Sequence, residues 1–278
     1  MSALLSRLTA ALSDDVRGWL DAACERARNE PSCVPELFPQ LPRRVGRAPV
    51  GGGLLRDGDS EVNLDGWRQC DLAAHALLIG VDAPAAREVD LFMHGDLEER
   101  AMVLRNLAVL PVTDATVQLL GEAQRTNMVT HFEAAVCESN LAVRATSHAG
   151  FGEDDFNRLI LKAAFLEIPL DRLLDAVRGA NPELSRMLQG LATEREAAGR
   201  LVWPDTNRMI AAAPVDGTVA RLIGHLEHGD DRHRKTAAEG LAIMNRPDLA
   251  PFLRERLERE PRAAIRAALE QALAATDS

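Results

Sequence analysis

Residues 81–120, VDAPAAREVDLFMHGDLEERAMVLRNLAVLPVTDATVQLL, align without a gap on residues 215–254, VDGTVARLIGHLEHGDDRHRKTAAEGLAIMNRPDLAPFLR. Twelve of the forty positions are identical: Val81/Val215, Asp82/Asp216, Ala86/Ala220, Arg87/Arg221, His94/His228, Gly95/Gly229, Asp96/Asp230, Arg100/Arg234, Leu107/Leu241, Ala108/Ala242, Asp114/Asp248 and Leu119/Leu253. Each copy reads as a helix, a Gly-Asp turn, a second helix and the start of a third. Such a unit cannot bury its apolar faces alone, so stacked neighbours must complete the core. The expected fold is all-α, an α-solenoid of stacked antiparallel helix pairs, HEAT-like, with Pro261 to Ala275 as a closing helix.

Outward from the repeat, nearly every segment keeps helical spacing. Residues 3–29 place Leu5, Leu8, Leu12, Val16, Trp19 and Leu20 on one face, with Ser13 and Asp14 as an internal cap or kink. Asp82 before Pro84, the pair Asp96 and Glu99, Thr113, Asn181 and Asp216 read as caps, and Gly199 as a stop. No run alternates long enough to predict a sheet. Between Pro31 and Pro49 stand five prolines, followed by Gly51, Gly52, Gly53 and Gly58. Residues 31–62 are therefore expected as one long irregular segment, functional or disordered.

The formal net charge of −10 disfavours a nucleic-acid or anionic-membrane binder, since both demand a positive field. Aromatics at 4% leave no stacking platform for single strands. The longest apolar run, Leu72 to Val81, falls well short of the roughly 20 residues of a membrane span, and no secretory signal is visible. Cys24, Cys33, Cys70 and Cys137 fit no zinc spacing and are read as reduced thiols. A soluble cytoplasmic protein is expected.

Glycines 51–53 lack the lysine and hydroxyl of a phosphate-binding loop. His225, His228, Asp230, Asp231 and His233 offer metal-ligand chemistry. Yet His94-Gly95-Asp96 occupies the matching place in the first copy without the extra histidines, so this triplet reads as turn punctuation and no metal is assigned. No catalytic motif and no cofactor site is found. Lys162, one of two lysines, lies in a segment apolar nearly all round, so it is expected to snorkel, to pair, or to have a depressed pKa. Arg125, Asn127, Arg178, Arg195 and Arg200 can converge on an acid, because guanidinium forks suit carboxylate and phosphate.

Arg125-Thr126-Asn127-Met128, Phe132-Glu133-Ala134, Phe156-Asn157, Leu161-Lys162-Ala163 and Phe165 resemble the core signature of EboA proteins. So do Asn181-Pro182-Glu183-Leu184, Arg186-Met187-Leu188, Glu194-Arg195 and Ala197-Ala198-Gly199-Arg200. Asn140-Leu141-Ala142-Val143 stands where Asn-Pro-Tyr-Pro is usual in that family, and Phe156 where tryptophan is. The resemblance implies a place in a small bacterial gene cluster with a UbiA-type membrane prenyltransferase, a TIM-barrel protein, a TatD-like metal hydrolase and a sugar-phosphate-cyclase-like enzyme. It implies work in making or exporting small molecules, and no established reaction.

The expected organisation is an N-terminal helix (1–30), the irregular segment (31–62), an EboA-like helical core (63–210) and HEAT-like helices (211–278), in one continuous solenoid. The leading expectation is a non-catalytic scaffold or binding protein for prenylated or precursor metabolites. Its partners would be proteins of the same cluster, the membrane prenyltransferase among them, with residues 31–62 lying across the concave face or engaging a partner. The alternative is an enzyme or carrier for a phosphorylated or carboxylated metabolite. The candidate ligand- or partner-binding set is Arg125, Asn127, Asn157, Lys162, Arg178, Asn181, Glu194, Arg195 and Arg200.

Overall fold

The computed structural model describes residues 3–81 and 84–276. The chain divides into two compact units: Met1–Phe156 with Asp171–Leu174, and Asn157–Leu170 with Asp175–Ser278. The fold class is all-α. Among the described residues the only sheet is a two-stranded hairpin, and no helix is long and apolar enough to cross a membrane.

The first unit opens with helices Ala3–Ala11 and Asp14–Asn29, separated at Ser13, where the sequence offers a cap or kink. Residues 31–44 are not irregular, which corrects the expectation. They form four consecutive short helical turns, Pro31–Cys33, Val34–Leu37, Phe38–Gln40 and Leu41–Arg44, each with proline at its first or second position. There the missing N–H is no loss and the fixed φ favours the turn. These turns belong to the core rather than to a mobile surface loop: Val34, Phe38 and Leu41 are fully buried.

The rest of that segment supplies the hairpin, strands Leu54–Asp57 and Ser60–Asn63, antiparallel with Leu54 opposite Asn63 and Asp57 opposite Ser60. Gly58-Asp59 is the two-residue loop between them, and Gly58 at its first position takes φ +61° to close it. Four-residue strands are too short for their alternation to register as a sheet. Asn140 pins the hairpin: its side-chain amide donates to the Asp59 carbonyl at 2.8 Å and its oxygen accepts from the Glu61 N–H at 3.0 Å.

Helices Gln69–Leu78, Pro84–His94, Leu97–Asn106, Asp114–Arg125 and Val129–Val136 follow, with Leu97–Asn106 packed on the first, second and fifth of these. In the second unit, helix Asp231–Met244 packs on Thr206–Ala212, Thr218–Leu226 and Ala263–Thr276. It approaches the first of these closely, so that a Cβ on Gly240 would meet the Asn207 carbonyl at 2.8 Å. Helix Pro182–Ala197 precedes them and Ala250–Arg259 packs on the last.

The repeat holds in detail. Pro84 and Thr218 begin equivalent helices, and so do Leu97 and Asp231. Asp96 accepts from the Glu98 and Glu99 N–H groups at 2.8 and 2.9 Å, and Asp230 from the Arg232 N–H at 2.8 Å. Arg100 donates to the Gly95 carbonyl at 2.9 Å; its counterpart Arg234 donates to those of His228 and Gly229 at 2.8 and 3.2 Å. The His-Gly-Asp turn with an arginine four residues after the Asp is thus a self-contained turn lock. Thr113 and Asn181 cap as expected, and Gly199 ends a helix at φ +65°. Asp216 does not cap: Gly217, at φ +86°, takes that place, because the turn before Thr218 needs a left-handed residue. The expected cap at Asp82 lies outside the described residues.

Candidate functional site

Helix Glu153–Phe165 ends in a tight left-handed turn within the family-like middle of the chain. The Ile168 N–H donates to the Ala163 carbonyl at 3.0 Å and the Glu167 N–H to that of Ala164 at 3.2 Å, with Glu167 at φ +57°. That closure normally falls to glycine, and a side chain there costs about 1 kcal/mol. Neighbours hold it in place: the Trp203 indole donates to the Ile168 carbonyl at 2.8 Å, and the Asp205 carboxylate accepts from the Leu170 N–H at 3.0 Å.

Glu167 in turn receives Arg195, at 3.1 Å, from helix Pro182–Ala197. Arg195 also donates to the Leu201 carbonyl, and its guanidinium lies 5.8 Å from the Phe165 ring centroid. Phe165 is 65% exposed and Leu201 64%, the two largest exposures among the large apolar side chains. A guanidinium fixed beside one unburied aromatic ring and on the backbone carbonyl of a second unburied apolar residue has the composition of an interface centre. Lys162, one turn before Phe165, is half-buried, and burial lowers its pKa. With Arg158 and Phe165 exposed, the helix is not apolar all round as its sequence suggests.

Two other acidic residues of the middle segment share this strained geometry. Glu138 (φ +59°) is tied to Arg172 at 2.8 Å, and Asp175 (φ +58°) to Arg178 at 3.2 Å. In all three an arginine holds the acid of a left-handed turn, the kind of backbone strain that clusters at functional segments.

Only part of the candidate set is brought together. Asn157 and Asn181 form a buried reciprocal amide pair, Asn181 donating at 2.7 Å and accepting at 3.3 Å, while the Asn181 oxygen also caps Leu184 at 2.9 Å. They join helices rather than face a ligand. Asn181→Ala is expected to cost about 2 kcal/mol in thermal unfolding, from the lost cap and the orphaned Asn157 amide, with Asn181→Asp milder. Arg125 is exposed and paired with Glu122 at 2.6 Å, and Arg178 is exposed. Asn127, Glu194 and Arg200 are exposed. Arg195 alone of the set joins Phe165, Glu167 and Leu201. Leu201 had a sequence signal, an apolar residue just past the Gly199 stop and its arginine. Glu167 had none, since nothing local marks a non-glycine left-handed residue.

The three histidines His225, His228 and His233 gather into one cluster of edge-to-face and tilted rings. Ring centroids are 5.6 Å apart for His225 and His228, 5.1 Å for His225 and His233, and 4.2 Å for His228 and His233. Burial, then the charges of His233 and Arg221, push His225 down to about 4. Among the described residues no group of histidines, cysteines and acids is arranged to hold a metal ion. All four cysteines are free thiols.

A HEAT-repeat family model matches residues 206–274, which contain the second copy of the repeat. No curated protein and no solved structure matches the chain. The family model described as metabolite traffic protein EboA matches residues 65–211, just over half of the chain, a range that includes Phe165, Arg195, Leu201 and the acidic residues at positive φ. The chain therefore belongs to the EboA family of metabolite traffic proteins.

Proposed function

We propose that the chain serves metabolite traffic as a non-catalytic helical scaffold that docks a partner protein on the Phe165–Arg195–Leu201 surface. The observation that carries this reading is an arginine, already fixed by Glu167 and the Leu201 carbonyl, that links two residues whose large apolar side chains are left in water. An anchored guanidinium loses little further freedom on binding, and aromatic and arginine anchors dominate interface energies. The enzyme or carrier alternative needs Arg125, Asn127, Asn157, Lys162, Arg178 and Glu194 in one closed pocket. Arg125 and Arg178 are exposed and ion-paired instead, and Asn157 is committed to Asn181.

The partners proposed are the products of an Ebo-type gene cluster, the membrane prenyltransferase among them, in the synthesis and movement of a prenylated or precursor metabolite. The test is co-purification of tagged protein with each cluster product, for the native chain and for Phe165→Ser/Leu201→Ser. Native protein is expected to retain at least one product, and the double variant to lose it about tenfold with unchanged thermal stability, both side chains being exposed. Equal retention by the variant, or no product retained by native protein, refutes the scaffold.

A further inference from the structure

The first unit holds a half-open cavity of about 300 Å³ lined by helices Ala3–Ala11 and Asp14–Asn29 and by residues around the end of Gln69–Leu78. Its walls are mainly Leu5, Leu8, Leu12 and Leu20, with Ile79 half exposed beside them. An apolar cavity of about 150 Å³ accommodates benzene. Twice that space suits two fused rings or a chain of about ten carbon atoms, at the lower bound of ordinary ligand pockets.

The polar lining is sparse and unbalanced. Arg17 and Arg28 share this lining with the acid Asp21, and Arg17 also meets the fully exposed carboxylate of Asp14 at 3.4 Å, a solvent-screened pair that a ligand acid can replace. Arg17 donates to the Thr9 and Leu12 carbonyls at 3.3 Å each, yet its Nε–H is buried and has no hydrogen-bond partner. Such an orphaned donor costs about 1–3 kcal/mol, which an acceptor on a ligand would restore. The Cys24 thiol in the same wall is pushed up to about 11 by burial, so it stays neutral and adds no competing negative charge at pH 7.

We propose that this cavity is a binding site for a small hydrophobic carboxylic acid, its apolar body of about ten carbon atoms between the leucines and its carboxylate on Arg17. The inference is independent of the docking surface, since no residue is shared. The volume buries about ten carbon atoms and leaves the rest of a longer chain in water, and the guanidinium selects the acid over the corresponding alcohol.

Decanoate is the probe, titrated by calorimetry into the full chain with decanol, hexadecanoate and acetate as comparisons. Decanoate is expected to bind one to one with Kd about 0.1 mM, near 0.45 kcal/mol per heavy atom. Decanol should bind about tenfold more weakly, hexadecanoate no more tightly than decanoate, and acetate not at all. Arg17→Met should lower decanoate affinity to that of decanol and leave decanol unchanged. Leu8→Trp should fill the cavity and abolish binding; if it fails to fold, Thr9→Leu narrows the same wall from an accessible position. Bound decanoate should also slow alkylation of Cys24, the one cysteine that is not fully buried. Absence of decanoate binding, an unaltered preference for the acid in Arg17→Met, or unprotected Cys24 overturns the proposal.

Discussion

Glu260→Ala is expected to destabilise the unit ending at Ser278 by about 3–5 kcal/mol. The Glu260 carboxylate is fully buried and accepts from Arg234 at 2.9 Å, Arg256 at 2.6 Å and the Arg262 N–H at 3.0 Å. Arg234 ties the repeat turn, and Arg256 also reaches Glu227 at 2.9 Å. Removing the acid leaves two largely buried guanidinium groups facing each other, with only the half-exposed Asp231 and Glu227 as counter-charges. Burial alone would raise the Glu260 pKa, but the hydrogen bonds from Arg234 and Arg256 overcome it and hold the group at about 2. A lowered folded-state pKa gives stability that is present above the ordinary value of 4.5 and lost as pH falls toward 2. The native chain should therefore lose about 3 kcal/mol across that window, and Glu260→Ala should not. Urea unfolding of both proteins over that range is the measurement, and parallel pH profiles would contradict the assignment.

Glu88→Leu should act in the opposite direction. In the repeat register Glu88 corresponds to Leu222; both are buried, at 3% and 0% exposure. Burial pushes the Glu88 carboxyl up to about 7. A raised pKa leaves stability intact below 4.5 and erodes it as pH rises toward 7, by about 3 kcal/mol in all. The leucine variant is expected to be about 3 kcal/mol more stable near pH 7.5 and nearly level with the native chain near pH 4.5. Glu88→Gln should abolish the same pH dependence with a smaller gain, since a buried amide still needs partners. An equal gain at both pH values would show that Glu88 ionises in water-like surroundings.

The same pair of residues shows where reading the sequence stops. Gapless alignment predicts that positions 88 and 222 are equivalent, and the structure gives both the core side of a helix. Nothing local says that the first copy retains an ionisable group there. The turn lock was half legible in the same way. Asp96 reads as a cap and His-Gly-Asp as turn punctuation by sequence, whereas the return of Arg100 and Arg234 to the preceding carbonyls needs the rotamers of the folded helix.

Among candidate site residues, Arg195 was found for its charge and motif. Its fixing partner Glu167 lies 28 residues away and takes a backbone conformation no local rule assigns to glutamate. The proline run misled for a related reason. Each proline ends one turn but is well suited to begin another, and only burial of Phe38 and Leu41 decides in favour of successive turns.

Helical class, the repeat and its register, most caps and the family were legible in the order of residues alone. These depend on spacing and hydrogen bonds within a few residues, which the chain carries wherever it folds. The tertiary structure decided which charges pair, where Phe165 and Leu201 are left in water, and that leucines near the N-terminus meet Ala76 and Ile79 around a cavity. Those outcomes arise from packing between segments distant in the chain, whose burial and dielectric setting no short window encodes.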